Sequence, residues 1–541
     1  MSFEGKELRP STSLPSGAVD LNTRRRAALA EIDNAKFGWF HVKACAVAGV
    51  GFFTDAYDIF AINLAAGMIG FVYNNGGSLT ANQDLGLKIA TPCGTLVGQL
   101  LFGWLADVVG RKKMYGVELM IMIVATVGQA VAGHGPAVNI IGVLVMWRFI
   151  MGVGIGGDYP LSATISSEFA ATRIRGRMMI ATFWSQGYGQ LGAAIVAIVS
   201  LAAFKPQILS DPAGNADSLD YVWRLIIGCG AVPGAVALYF RLTLPESPRY
   251  TLDIERNVKQ ASTDVDAFLQ TGHYVQDTAP VVAVDTALDV PKASWKDFRA
   301  YFGQWKHGKV LLGTAYSWFA LDVAFYGLGL NSSIIFSAIG FGSVTSGTPA
   351  YNRYHTLYNN AVANIIITCA GLIPGFWAAF ALIDVWGRKP LQLTGFIGLT
   401  ITLCSMGFGY DKLKENAVGA FVFLYCLTNF LQNYGPNSTT FVVPAEVFPT
   451  RYRSTAHGIS AASGKFGAII AQVMAFKLKD RGGKNAWVKH LLEVFALFML
   501  SGIVSTLLIP ETKGKSLEEL SGEDQDPFVA EGENVAGVER V

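Results

Sequence analysis

Gly103-Trp-Leu-Ala-Asp107-Val-Val-Gly110-Arg111-Lys112-Lys113 closes an apolar run that begins near residue 85, and Leu382-Ile-Asp384-Val-Trp-Gly387-Arg388-Lys389 closes another. Both carry Asp-x2-Gly-Arg, and their aspartates stand 277 residues apart (384 minus 107). A second motif repeats as well. Glu168-x4-Arg173-x-Arg175 returns as Glu446-x4-Arg451-x-Arg453, with its glutamates 278 residues apart (446 minus 168). Two independent motifs with nearly the same offset predict an internal duplication.

The runs between these loops are long enough to cross a bilayer, which needs about 20 apolar residues each. They fall near 39–70, 85–107, 114–133, 138–162, 177–204 and 222–244, and again near 309–341, 357–384, 390–410, 416–443, 458–478 and 488–510. Of the 541 residues 51% are hydrophobic and 15% charged, with mean hydropathy +0.37; soluble domains carry about 25% charge. The reading is an all-α integral membrane protein of twelve spans. It divides into a segment 1–38, a six-helix half 39–244, a polar linker 245–308, a second six-helix half 309–510 and a mostly acidic tail 511–541. Arg111 to Lys113, Arg173 to Arg177, Arg388-Lys389 and Arg451/Arg453 lie on one side with both termini, which predicts that side to be cytoplasmic. Residues 477–489 dissent, placing Lys477, Lys479, Arg481, Lys484 and Lys489 on the outer face.

A net charge of +2 gives no footprint for a nucleic-acid partner. The cysteines all sit in apolar stretches with no CxxC pair, so neither a metal site nor a disulfide framework is indicated. No signal peptide is read at the N-terminus. Within span four, Gly156-Gly-Asp158-Tyr159-Pro-Leu-Ser-Ala-Thr-Ile165 places a carboxylate inside an apolar segment. At a helix centre such a group costs roughly 3 kcal/mol or more, so Asp158 is expected to face an internal pathway.

The two Asp-x2-Gly-Arg loops, Pro245-Glu-Ser-Pro-Arg249 and Pro510-Glu-Thr-Lys-Gly514 resemble the major facilitator superfamily, especially its sugar-porter-like branch. The span-four stretch with Ser167-Glu168 is similar to the signature of fungal and plant proton-coupled inorganic phosphate transporters, which commonly have a larger residue where Ser166 stands. The resemblance covers roughly 39–520. It implies import of dihydrogen phosphate with protons by alternating access, a plasma-membrane location, and no organic cofactor, metal or catalytic residue.

Trp318, Asp322 and Tyr326 recur at i, i+4, i+8 and share one helical stripe. An aromatic packing stripe would explain the rings, but neither lipid nor dry packing tolerates the carboxylate. Lys465 lies about two turns into span eleven. Snorkelling is the bland reading, and a fixed cation for an anionic substrate, partnered by Asp322 when empty, is the functional one. Dihydrogen phosphate donates to a carboxylate while accepting from an ammonium; sulfate has no proton to donate, so the same carboxylate repels it. The resemblance places Trp318, Asp322 and Tyr326 on phosphate, and also Tyr159, Gln186 and Asn437, although amides in spans often only bond neighbouring helices. Pro436, beside Asn437, frees backbone groups that could also serve an anion.

Asp55 and Asp58 share a helical face, and Glu118, Arg148 and Asp158 lie in nearby spans. Permanent ion pairs are one reading and a proton relay is the other. The loop residues Asp107, Gly110, Arg111, Glu168, Arg175, Asp384, Gly387, Arg388, Glu446 and Arg451 read as a cytoplasmic gate latching the halves. Gly152-x-Gly154-x-x-Gly157 matches a dinucleotide pattern but lacks a preceding strand, so close helix packing is expected instead. Two rivals stand beside phosphate–proton symport. A hexose–proton symporter shares the Pro-Glu motifs but has no need of the Asp322/Lys465 pair; a phosphate-sensing receptor would call for longer cytoplasmic extensions.

Overall fold

The computed structural model describes residues 37–521 apart from 75–76, 212–216, 243–248, 250–293, 341, 343 and 484. Most of segment 1–38, most of the linker, Lys484 and the tail beyond Ser521 therefore lie outside the described residues.

Every expected apolar run is helical. The first group comprises α1 (Trp39–Tyr73), α2 (Ala81–Val109), α3 (Val117–Ala130), α4 (Ile140–Phe169), the pair α5 (Arg175–Phe183) and α6 (Ser185–Ala203), and the pair α7 (Asp217–Gly228) and α8 (Ala231–Leu242). The second comprises α9 (Trp305–Gly329), the pair α10 (Pro349–Ile367) and α11 (Ile373–Trp386), α12 (Arg388–Phe408), the pair α13 (Val418–Tyr434) and α14 (Pro436–Val447), α15 (Arg453–Leu478) and α16 (Val488–Thr506). Among the described residues, 9 helical stretches are long and apolar enough to cross a membrane on their own. Span three, the 14-residue α3, is too short for that measure, span ten is broken at Gly435-Pro436, and span seven, the 25-residue α9, is long enough but not apolar enough.

Local chemistry sets the ends. Thr80 and Gln83 form a reciprocal cap on α2, and Asn139 accepts from the Ile141 amide to start α4. Gly110 and Gly387 both sit at positive φ, +113° and +102°, where a Cβ would be strained. Each of these glycines turns the chain sharply out of one helix and into the next, so the basic residues follow immediately. At Gly387, Glu511 of the second Pro-Glu motif accepts from the Arg388 and Lys389 amides at 3.1 and 3.0 Å, capping α12.

Without a hydrophobic drive between helices in lipid, close approach depends on small residues. A Cβ on Gly152 or Gly156 would lie 2.3 or 2.4 Å from a carbonyl of α2, so α2 and α4 pack backbone to backbone. Of the dinucleotide-like glycines, Gly152 serves this packing, while Gly154 and Gly157 bring α4 against Glu118 of α3, from which a Cβ on either would lie 2.7 Å. The two groups of helices meet chiefly along α2 with α15 and α6 with α10. At the first seam a Cβ on Gly458 would come 2.3 Å from the Gln99 carbonyl. Apolar side chains such as Val124, Val199, Val236, Ile401 and Val504 stay exposed around the outside, as a lipid-facing wall requires.

Candidate functional site

Lys465 projects from α15 and Asp322 from α9, and their Nζ and Oδ2 atoms meet at 2.9 Å. The residue before Lys465, Gly464, makes room, since a Cβ there would sit 2.9 Å from Asp322 Oδ2 and 2.6 Å from Trp318. The ammonium also lies over two phenol rings, Tyr326 at 4.4 Å and Tyr159 at 5.0 Å. Both distances fall within cation–π range. Tyr159 comes from the opposite group of helices, so the pair sits at the seam. Trp318 lies 6.2 Å from the Tyr159 ring and 5.4 Å from His457.

A chain of amides continues from Tyr159. Gln186 donates to its hydroxyl at 3.4 Å, and Asn437 donates to Gln186 at 3.3 Å and to Asn433 at 2.7 Å. Asn437 is the second residue of α14, just past the Gly435-Pro436 break, which turns it toward the seam. All seven residues expected on the substrate are therefore connected, and each is 3% exposed or less. Below them Phe52 and Phe183 pack on Phe441, with the Phe183 and Phe441 rings stacked at 4.3 Å. This aromatic plug stands, through Phe183 and Phe441, three residues from Gln186 and four from Asn437, toward the loop ends of spans five and ten. Neither it nor His457 was expected from the sequence; phenylalanines in a span carry no signal that tells a plug from ordinary packing.

A second ionic cluster lies wholly within the first group of helices. Arg241 of α8 donates to Glu118 and to Asp158, each at 2.7 Å, and stacks over Tyr115 at 4.1 Å. Ser162 joins Asp158 to the Tyr115 hydroxyl. Gly51 opens the passage for the guanidinium, because a Cβ there would lie 1.6 Å from Arg241 Nη2. Asp55, one turn along α1, is buried with neither carboxyl oxygen hydrogen-bonded, and Asp58 accepts from Thr126 at 2.7 Å. Arg148 makes no close ion pair, although its charge acts on Asp58. Its Nε donates to the Leu87 carbonyl at 2.9 Å, and no carboxylate of the described residues lies within 4.0 Å of it. The arginine bridging Glu118 and Asp158 is thus Arg241, whose place in the last turn of span six reads in sequence as an interface anchor.

The repeated loop motifs form the third network. Within the first repeat Arg111 reaches Asp107 at 3.3 Å and Glu168 at 3.4 Å; within the second Arg388 reaches Asp384 at 2.9 Å and Glu446 at 2.8 Å. The repeats then cross over. Arg175 binds Glu446 at 2.9 Å and Arg453 binds Glu168 at 2.7 Å. Asp107 accepts from the Thr455 amide at 2.7 Å, and Asp384 accepts from the Arg177 amide at 2.9 Å. Gly110 and Gly387 supply the turns described above. Arg451 lies outside this crossing, 3.2 Å from Asp297 on the linker side, and Arg453 takes the position expected for it.

Residues 44–523 match the sugar (and other) transporter family. The chain belongs to that family. It is 51% identical over 522 residues to the repressible high-affinity phosphate permease of Neurospora crassa, covering 93% of this chain and 90% of that one. It is 50% identical over 523 residues to the inorganic phosphate transporter PHO84 of Saccharomyces cerevisiae, covering 92% and 87%. A solved structure of the major facilitator proton:xylose symporter XylE superposes with TM-score 0.66 at 21% identity, covering 89% of this chain and 98% of that one. This transporter accordingly has the major facilitator fold, two pseudo-symmetric six-helix halves, and is an integral multi-pass membrane protein rather than an enzyme. The seam carrying Lys465 is the boundary between those halves.

Proposed function

We propose that this transporter imports dihydrogen phosphate together with protons, binding the anion between its halves at Lys465 and Asp322. The observation that carries the reading is the buried 2.9 Å ammonium–carboxylate pair at the seam, walled by Tyr159 from one half and Tyr326 from the other. A hexose needs neither charge. Dihydrogen phosphate satisfies both, accepting from Lys465 and donating to Asp322, while Gln186, Asn437, Tyr159 and Trp318 supply neutral donors and a ring wall. The named relatives support phosphate as the substrate class.

Asp55, Asp58, Glu118 and Asp158 serve as the proton-handling group in this reading, with Arg241 fixing two of them and the charge of Arg148 acting on Asp58. Asp158 and Tyr159 are consecutive on α4, about 100° apart around the helix. The first faces the carboxylate cluster and the second faces Lys465, so a rotation of α4 is felt by both. The loop network is taken as cytoplasmic and the membrane as the plasma membrane, with both termini inside. With that side closed by crossed ion pairs, alternating access proceeds by breaking them.

An inside-negative potential opposes a monovalent anion by roughly 2.3 kcal/mol per 100 mV, which one proton cancels and two or more reverse. The test is uptake of labelled phosphate into proteoliposomes under an imposed pH gradient, with current recorded. Uptake accelerated by an acidic exterior, with net inward positive charge, is expected. Uptake indifferent to the gradient and to uncouplers would overturn the coupling, and the absence of phosphate uptake would overturn the substrate.

A further inference from the structure

At the end of the seam opposite the loop network lies a cavity of about 400 Å³. Exposed Ser78 and Asp480 stand on its wall, together with Asn63, Asn360 and half-buried Lys479. Deeper in the wall is Lys88 of α2, only 4% exposed. Its ammonium meets Asp84 at 2.8 Å and the Asn331 side-chain carbonyl, from the other half, at 3.3 Å. Asn331 in turn donates to Gln472 at 3.1 Å, and Gln472 donates to the Tyr326 carbonyl at 2.9 Å.

The geometry points to an entry station for a partly protonated oxyanion at Lys88, Asp84 and Asn331, occupied before the anion reaches Lys465. The inference rests on the phosphate reading given above. Four observations carry it. The Lys88–Asp84 pair repeats the chemistry of Lys465–Asp322, an ammonium and a carboxylate in contact, and so applies the same test for a proton on the anion. It borders the cavity, which has room for a phosphate. Asn331 lies nine residues along from Asp322 and Gln472 seven along from Lys465, which at about 1.5 Å per residue puts the Asn331–Gln472 contact roughly 10–14 Å along the seam from the inner pair. The basic segment beyond α15, with Lys477, Lys479 and Arg481, breaks the expected charge asymmetry on this side. An anion-collecting mouth accounts for that exception.

A bare latch between the halves uses the same Lys88–Asn331 contact, and kinetics separates the two. Inorganic phosphate is mixed with the full-length protein in stopped flow, reading tryptophan fluorescence, while equilibrium binding of labelled phosphate gives Kd. For Lys88→Gln the association rate constant is expected to fall about 10-fold, the low end for a lost steering charge. Kd should stay within about twofold, and Lys88→Arg should restore the rate. The double variant Asp84→Asn/Lys88→Gln should stay slow, because the ammonium is still missing. A rate in Lys88→Gln that is unchanged or faster, as a released latch gives, overturns the station. So does recovery in the double variant, which would trace the effect to an unpaired Asp84. Failure of the wild type to bind phosphate overturns the substrate reading itself, whereas wild-type binding with no Lys88 effect overturns the station alone.

Discussion

The two ionic clusters buried in the membrane differ in their balance of charge. At the seam one ammonium meets one carboxylate, and both halves contribute to its wall. Inside the first half a single guanidinium, Arg241, serves Glu118 and Asp158, while Asp55 is buried beside them with no hydrogen bond. A balanced pair is stable when empty and can exchange its partner for a ligand. A cluster with surplus carboxylates leaves buried charge without a full set of partners, and an uncompensated charge in such surroundings is costly. In the function proposed above one region binds the anion and the other handles protons, so substitutions in each should fail differently.

The largest effect is expected at the balanced pair. Lys465→Gln removes the cation and leaves Asp322 uncompensated, a change worth about 3–5 kcal/mol at a buried pair. Phosphate binding and uptake should fall at least about 100-fold, in protein that still reaches the membrane. Labelled-phosphate binding to purified variant decides it, and affinity within threefold of wild type would refute the ligand role. In the surplus cluster Asp55→Asn should act otherwise. Gradient-driven uptake is expected to drop roughly 10-fold, while phosphate exchange across proteoliposomes without a gradient persists. If exchange were lost equally with uptake, Asp55 would belong to binding and the contrast would collapse.

Much of this contrast was legible before any coordinates. The stripe of Trp318, Asp322 and Tyr326 follows from helical periodicity, and the duplicated loops from their shared offset. Lys465 stood out because a lysine deep in a span requires a partner. What sequence could not supply was pairing between distant helices. Arg241 and Glu118 are 123 residues apart, and only the packing of α8 against α3 brings them together. The exchange of Arg451 for Arg453 has a local cause. A 3-10 turn over Thr450–Tyr452 carries Arg451 toward Asp297, whereas Arg453 opens α15 and enters the crossing. Motif spacing cannot distinguish two arginines two residues apart, because a short change in helical pitch decides which of them turns inward.

Each cluster also depends on one glycine, which allows a matched test. A Cβ at residue 51 would lie 1.6 Å from Arg241 and 2.2 Å from Asp158, and the displaced groups hold the cluster together. At residue 464 the nearest atoms, of Trp318 and Asp322, are at 2.6 and 2.9 Å. Overpacking costs about 1–3 kcal/mol, and Gly51→Ala adds the loss of an ion pair. Gly51→Ala should therefore lower the thermal midpoint more than Gly464→Ala, while Gly464→Ala should weaken phosphate binding more. The reverse order in either measurement would mean that the two clusters do not divide stability and binding as their geometry indicates.

Outside the spans, a third pair shows what the same chemistry yields near water. Arg249 Nε sits 3.0 Å from Glu518 in the short helix Leu517–Ser521, and its Nη1 donates to the Glu168 carbonyl at 2.6 Å. Burial works to raise the Glu518 carboxyl, but the Arg249 guanidinium more than reverses this and holds it at about 2. A depressed carboxyl stabilises the fold above its ordinary value near 4.5, and that contribution fades as pH falls from there through about 2. Because Glu518 is partly solvated, Glu518→Gln should lower the thermal midpoint by only about 1–2 °C at neutral pH. The gap between variant and wild type should hold from pH 8 to 6 and close below about pH 4.5. A gap that widened with acid would show Glu518 stabilised as its neutral acid, contrary to its contact with Arg249. Removing this pair should leave phosphate affinity untouched, since it joins the linker to the tail helix on the loop side of the aromatic plug and reaches neither buried cluster.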